Sequence, residues 1–154
     1  MGCMTEDVRV VSASRVIDAP AAVLFELIAD PARQREWDGN ENLAEAAPGQ
    51  RVHAVGDVFV MTLTNTHIRE NRIVEFDEAR LIAWLPSEVG KQPPGHLWRW
   101  ELEPVGDGSR TRVTHTYDWT NLTDENRLPR ARLTTPERLQ ASVDRLGALA
   151  ESGA

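Results

Sequence analysis

The sequence predicts an α+β domain: a curved antiparallel sheet of six or seven strands wrapped around a long C-terminal helix, with two short helices after strand one. Three observations predict it. A β-branched run at 8–17 (VRVVSASRVI) leads into two helical stretches instead of a partner strand. From about Leu43 to Trp119 the apolar residues recur with a period of two. From Thr134 to Ala150 the period becomes helical.

Each element has its own local reason. In DAPAAVLFELIAD, Asp18 is the expected cap, Pro20 lies in the first turn, and Leu24, Leu27 and Ile28 form the apolar stripe. DPARQREW restarts the pattern, with Asp30 as cap and Pro31 at the first helical position, so the two helices form a V. Strands are expected at 57–64, 68–76, 81–85, 96–103 and 110–119, with a weaker one near 43–47. Their short connections make them antiparallel hairpins, apart from the Pro- and Gly-rich loop at 86–96 (PSEVGKQPPGH). The last helix opens on a capping box, Thr134 with Glu137, and carries Leu139, Val143, Leu146 and Ala150 on one face.

Register follows from turns and charges. If VGDG (105–108) is a four-residue loop, Trp98 faces His115, Trp100 faces Val113 and His96 faces Tyr117. Glu101 then meets Arg112 and Glu103 meets Arg110 on the other face. A two-residue turn at Asn65-Thr66 puts Phe59, Met61 and Leu63 on one face with Ile68, Glu70, Arg72, Val74 and Phe76. A four-residue turn at 77–80 adds Leu81, Ala83 and Leu85, and this face is expected to point inward. Ile73, Ile82 and Trp84 argue for the other side.

Composition bounds the function. The 154 residues suit a single domain over 8–151 behind a flexible tail at 1–7. A net charge of −7 excludes a nucleic-acid backbone or an anionic membrane as the natural partner. No apolar run approaches the roughly 18 residues that span a bilayer. MGCMTEDV is short and polar for a secretory signal, and Glu6 stands where a myristoylation signal has Ser or Thr. Cys3 is the only cysteine, so neither a disulfide framework nor a thiolate metal site is expected, and the expected setting is the reduced cytoplasm. His53, His67, His96 and His115 lack metal-ligand spacing, and no phosphate-binding, dinucleotide or nucleophile-elbow motif is present, so no metal or cofactor is expected.

The order of elements is that of the helix-grip fold. VSASRVIDAPAAVLFELIADPARQREWDG resembles the opening of START-like (SRPBCC) proteins of the polyketide cyclase/dehydrase branch. The resemblance is carried by Ile17-Asp18-Ala19-Pro20, Val23, Phe25, Ala29-Asp30-Pro31 and Trp37, then by VGDVF and VEFDEARLIAW, and extends over roughly 8–150. It implies an elongated cavity between sheet and C-terminal helix for an apolar or aromatic ligand. Members include lipid carriers, hormone and allergen binders, aromatase/cyclases and chaperone activators.

With such a cavity, the expected wall is Phe59, Met61 and Leu63, the row Trp98, Trp100, His115 and Tyr117, and Leu139 and Val143 from the helix. Glu70 and Arg72 are expected some ~14 Å away across three strands, suiting a long ligand with a polar group at each end. They could equally pair with each other, and His115 could be a satisfied interior histidine. The leading expectation is a binder of a small hydrophobic molecule, monomeric or weakly dimeric. The alternatives are a cyclase using His115 and Tyr117 as acid and base, and a protein-interaction module.

Overall fold

The structure is a computed structural model in which residues 8–39 and 43–152 are described. The expected tail at 1–7, with Cys3, lies outside them. The chain runs β1 (Val10–Ile17), α1 (Ala21–Ala29), α2 (Pro31–Gln34), β2 (Leu43–Glu45), β3 (Val58–Leu63), β4 (Ile68–Asp77) and β5 (Leu81–Glu88). It continues through β6 (Leu97–Val105), β7 (Arg110–Asp118), α3 (Leu128–Arg132) and α4 (Pro136–Glu151). The strands form one antiparallel sheet of seven in the order β1-β7-β6-β5-β4-β3-β2. This is the predicted helix-grip architecture.

Helix α4 lies across β1 and β7 and also meets α1. Gly147 permits that approach, since a Cβ there would stand 2.9 Å from the Arg15 guanidinium and 3.3 Å from Ile17. Leu24, Phe25 and Ile28 of α1, Ile17 and Val113 of the sheet, and Val143 and Leu146 of α4 share one buried core. Burying each such side chain contributes about 1.5–3 kcal/mol.

The caps differ from expectation at both long helices. Helix α1 starts after an extended Pro20, with no side-chain cap, so Asp18 does not cap it. Helix α4 is capped by Thr135, whose hydroxyl accepts from the Arg138 amide at 3.3 Å, and not by Thr134. Asp30 caps α2 as expected, accepting from the Ala32 amide at 3.2 Å with Pro31 next to it. Helix α3 is an addition to the expected elements.

The β6–β7 hairpin keeps its predicted faces but pairs two residues further on. Val105 pairs with Arg110, so the four-residue loop is 106–109. Gly106 and Gly108 both adopt positive φ there, and Ser109 is drawn into the turn by Asp107, whose Oδ1 accepts from its amide at 3.0 Å. Trp98 therefore sits opposite Tyr117, Trp100 opposite His115, and Leu102 opposite Val113. Glu103 faces Arg112, 4.0 Å apart, and Glu101 faces Thr114.

In β3–β5 the expected parity is reversed. Leu63 bonds with His67 around a three-residue loop closed by Thr66 in the left-handed region, φ 72°. Asp77 pairs with Leu81 around a second such loop holding Ala79 at φ 64°. Each odd-numbered loop shifts the pairing by one, which exchanges the faces. Phe59 now sits opposite Asn71, while Glu70 and Arg72 turn outward, as do Ile68, Leu81, Ala83 and Leu85. Ile73, Ile82 and Trp84 take the inner positions. A bulge between Ile73 and Glu75 returns Phe76 to the inner face, its ring 5.5 Å from that of Phe25.

Candidate ligand cavity

A cavity of about 370 Å³ opens between the concave face of the sheet and the segments carrying α2, α3 and the start of α4. Phe59, Met61 and Leu63 of β3 line one side. Alternation along β3 puts these three inward and leaves Val58 and Val60 exposed on the outer face.

The opposite wall is a ladder of rings on β6 and β7. Trp98 lies 4.4 Å from Tyr117 between ring centroids, and Trp100 stacks on His115 at 3.8 Å with 15° between the planes. Diagonal contacts connect these pairs, Trp98 to His115 at 5.5 Å and His96 to Tyr117 at 6.1 Å. The antiparallel pairing produces this zigzag, because side chains of one face on adjacent strands meet directly and diagonally. At its inner end Trp100 meets Trp37 edge-on at 5.1 Å. Trp37 is fixed by its indole N–H donating to the Leu27 carbonyl at 2.9 Å, and Gln34 donates to the Ile28 carbonyl at 3.1 Å.

His115 is fully enclosed. Its Nδ1 lies 3.1 Å from the Arg99 carbonyl, which can only accept, so Nδ1 carries the proton and the neutral ring is the form present. Burial pushes its pKa down to about 3 against the weaker opposing pull of that carbonyl. Tyr117 is pushed the other way, up to about 12, chiefly by burial, with Thr134, Arg130 and Arg127 opposing. Its hydroxyl stays protonated, with the Thr134 side chain as a hydrogen-bond partner.

The outer end is cationic. Arg69 of β4, Arg127, Arg130 and Arg138 all reach the cavity, with His96, Leu133 and Thr134 among them. Arg130, Leu133 and Arg138 are exposed and mark the opening. His96 is pushed down to about 4 by burial first, then by the charges of Arg127, Arg69 and Arg130.

The cavity thus brings together Phe59, Met61, Leu63, Trp98, Trp100, His115 and Tyr117 of the predicted wall. Leu139 and Val143 are buried in the packed core and do not reach it. Glu70 and Arg72 lie on the outer face beside a second depression, where Glu70 accepts from the Gly90 amide at 2.8 Å. Sequence reasoning missed Arg69, Asn71, Trp84 and Pro86, for which the reversed parity is the reason, and the arginines around α3. Among the described residues, no group of three or more His, Cys, Asp or Glu is placed to hold a metal, and no helix is long and apolar enough to cross a membrane.

Comparisons with known proteins agree with this architecture. Residues 9–151 match the family described as polyketide cyclase / dehydrase and lipid transport. An uncharacterised protein of Mycobacterium tuberculosis is 36% identical over 112 residues, covering 71% of this chain and 47% of its own length. The chain thus spans about half the length of the curated relatives it matches. A crystal structure from Nitrosomonas europaea superposes with a TM-score of 0.70 at 14% identity, covering 96% of this chain and 98% of that one. A polyketide-cyclase-like protein from Corynebacterium glutamicum superposes with a TM-score of 0.65 at 16% identity, over 94% and 92% of the two chains.

Proposed function

Because the chain belongs to the polyketide cyclase/dehydrase and lipid transport family, we propose that it binds a small hydrophobic or aromatic molecule in its internal cavity, as a carrier, a sequestering protein or a sensor. The observation that carries this reading is the ring ladder facing a cavity of about 370 Å³. That volume falls in the range of small-molecule sites, and apolar walls with a few placed polar groups are their usual make-up. Acid–base chemistry is less well supported. A general base works best with a pKa near the operating pH, whereas His115 and His96 fall to about 3 and about 4 and Tyr117 rises to about 12.

Trp37, Trp84, Trp98 and Trp100, four of the five tryptophans, line the cavity, so its occupancy is readable in intrinsic fluorescence. The neutral dye N-phenyl-1-naphthylamine is expected to quench that emission and to brighten itself, saturating at one dye per chain. Native mass spectrometry of protein purified from its own host is expected to show a retained small molecule. Absence of both dye binding and a retained molecule would overturn the reading.

A further inference from the structure

We propose that the ligand is an organic anion, its flat apolar body along the ring ladder and its carboxylate or phosphate held at the opening by Arg69, Arg127 and Arg130. This rests on the binding function proposed above and adds the charge and shape of what is bound.

The chain carries a net charge of −7, yet four arginines from separate parts of the fold converge on one cavity. Arg69 comes from the start of strand β4, Arg127 and Arg130 from the α3 segment, and Arg138 from α4. Among the described residues, Arg69, Arg130 and Arg138 have no carboxylate oxygen within 4.0 Å. The acidic groups nearby offset only part of this charge, Asp124 at Arg127 and Glu88 acting on Arg69. Glu88 pairs with Lys91 at 3.3 Å, Asp124 pairs with Arg127 at 3.5 Å, and Asp38 lines the cavity from the side of α2.

The cations also act on one another. Burial, followed by the Arg127 charge, lowers the Arg69 pKa, and the same arginines disfavour a proton on His96. An anion between them would convert this repulsion into attraction, and guanidinium groups match the paired oxygens of carboxylate and phosphate. The ladder selects the body, because stacked rings favour a planar aromatic partner.

The test compares matched naphthalenes by tryptophan quenching and calorimetry: 2-naphthoate, its neutral carboxamide, 2-naphthylmethylammonium and 2-naphthyl phosphate, with decanoate as a flexible acid. The carboxylate is expected to bind at least tenfold tighter than the carboxamide, with the ammonium weakest, and the gap to narrow as salt rises. Arg69→Gln and Arg130→Gln should each shrink the gap several-fold, and with Arg127→Gln added should erase it, leaving the carboxamide unchanged. Arg110→Gln, at the far hairpin, should leave the gap intact. Phosphate binding above carboxylate would support the proposal and assign the head group.

Equal affinity for carboxylate and carboxamide would overturn the charge assignment, as would a gap that survives all three substitutions. Decanoate binding as tightly as naphthoate would overturn the flat body. The salt dependence of the unmodified protein reads the charge even if a variant fails to fold. Carboxamide and neutral dye binding without a carboxylate preference defeats this inference alone, whereas failure of every probe defeats the binding function as well.

Discussion

His115 illustrates how position decides chemistry. On a solvated strand it would titrate near neutrality, but burial keeps it neutral against the opposing pull of the Arg99 carbonyl. The consequence is a pH dependence whose sign is fixed. The folded pKa values of His115 and His96, about 3 and about 4, lie below the unfolded value near 6.5, so the unfolded chain binds more protons across that window. Stability is therefore full above pH 6.5 and is lost as the pH falls toward the folded values, at about 1.4 kcal/mol per pH unit for each histidine. Urea unfolding should show a loss of about 2 kcal/mol between pH 6 and pH 5, above the range where carboxylates dominate. His115→Phe should remove about half of that slope. At pH 7 the same variant should cost about 1 kcal/mol, because the Arg99 carbonyl loses its donor while the ring stack survives.

At the scale of elements, hairpin loops decided which strand faces were legible. The two loops that reversed the faces of β4 and β5 carry Thr66 and Ala79 in the left-handed region, where glycine is the usual signal. Thr66 is exposed, so Thr66→Gly should relieve the backbone and raise unfolding stability by about 0.5–1 kcal/mol in urea titrations. Thr135→Ala should cost about 1 kcal/mol by removing the α4 cap, whereas Thr134→Ala should leave helix capping intact. The β6–β7 faces were readable because rings alternate with charges there, and a two-residue slip preserves that alternation. In β4 the inward residues include Arg69 and Asn71, whereas Ile68, Val74 and Phe76 share the alternate positions, so hydrophobic pattern favoured the wrong face. Helix α3, Leu128–Arg132, is too short to display a helical period.

At the scale of the molecule, the architecture was legible from element order, whereas the cavity was legible only through its walls. The α4 stripe of Leu139, Val143 and Leu146 reads identically whether it closes a core or faces a ligand, and here it closes the core. Bulky rings brace the cavity walls, Trp37 edge-on to Trp100, Trp84 edge-on to Phe59 and Trp100 stacked on His115. A ligand bridging the β6–β7 wall and the α3 segment would join parts of the fold far apart in sequence, from Arg69 to Arg138. Binding to the folded state alone contributes about 2.7 kcal/mol at a hundred times the dissociation constant. For a chain of this length that corresponds to a rise in Tm of roughly 5–10 °C. Scanning calorimetry with 2-naphthoate at that excess should show this rise, and Trp98→Ala, which removes the middle of the ladder, should reduce it at the same ligand concentration. A saturating fluorescence signal with no rise in Tm would mean that the probe binds the unfolded chain equally well, which a preformed cavity does not permit.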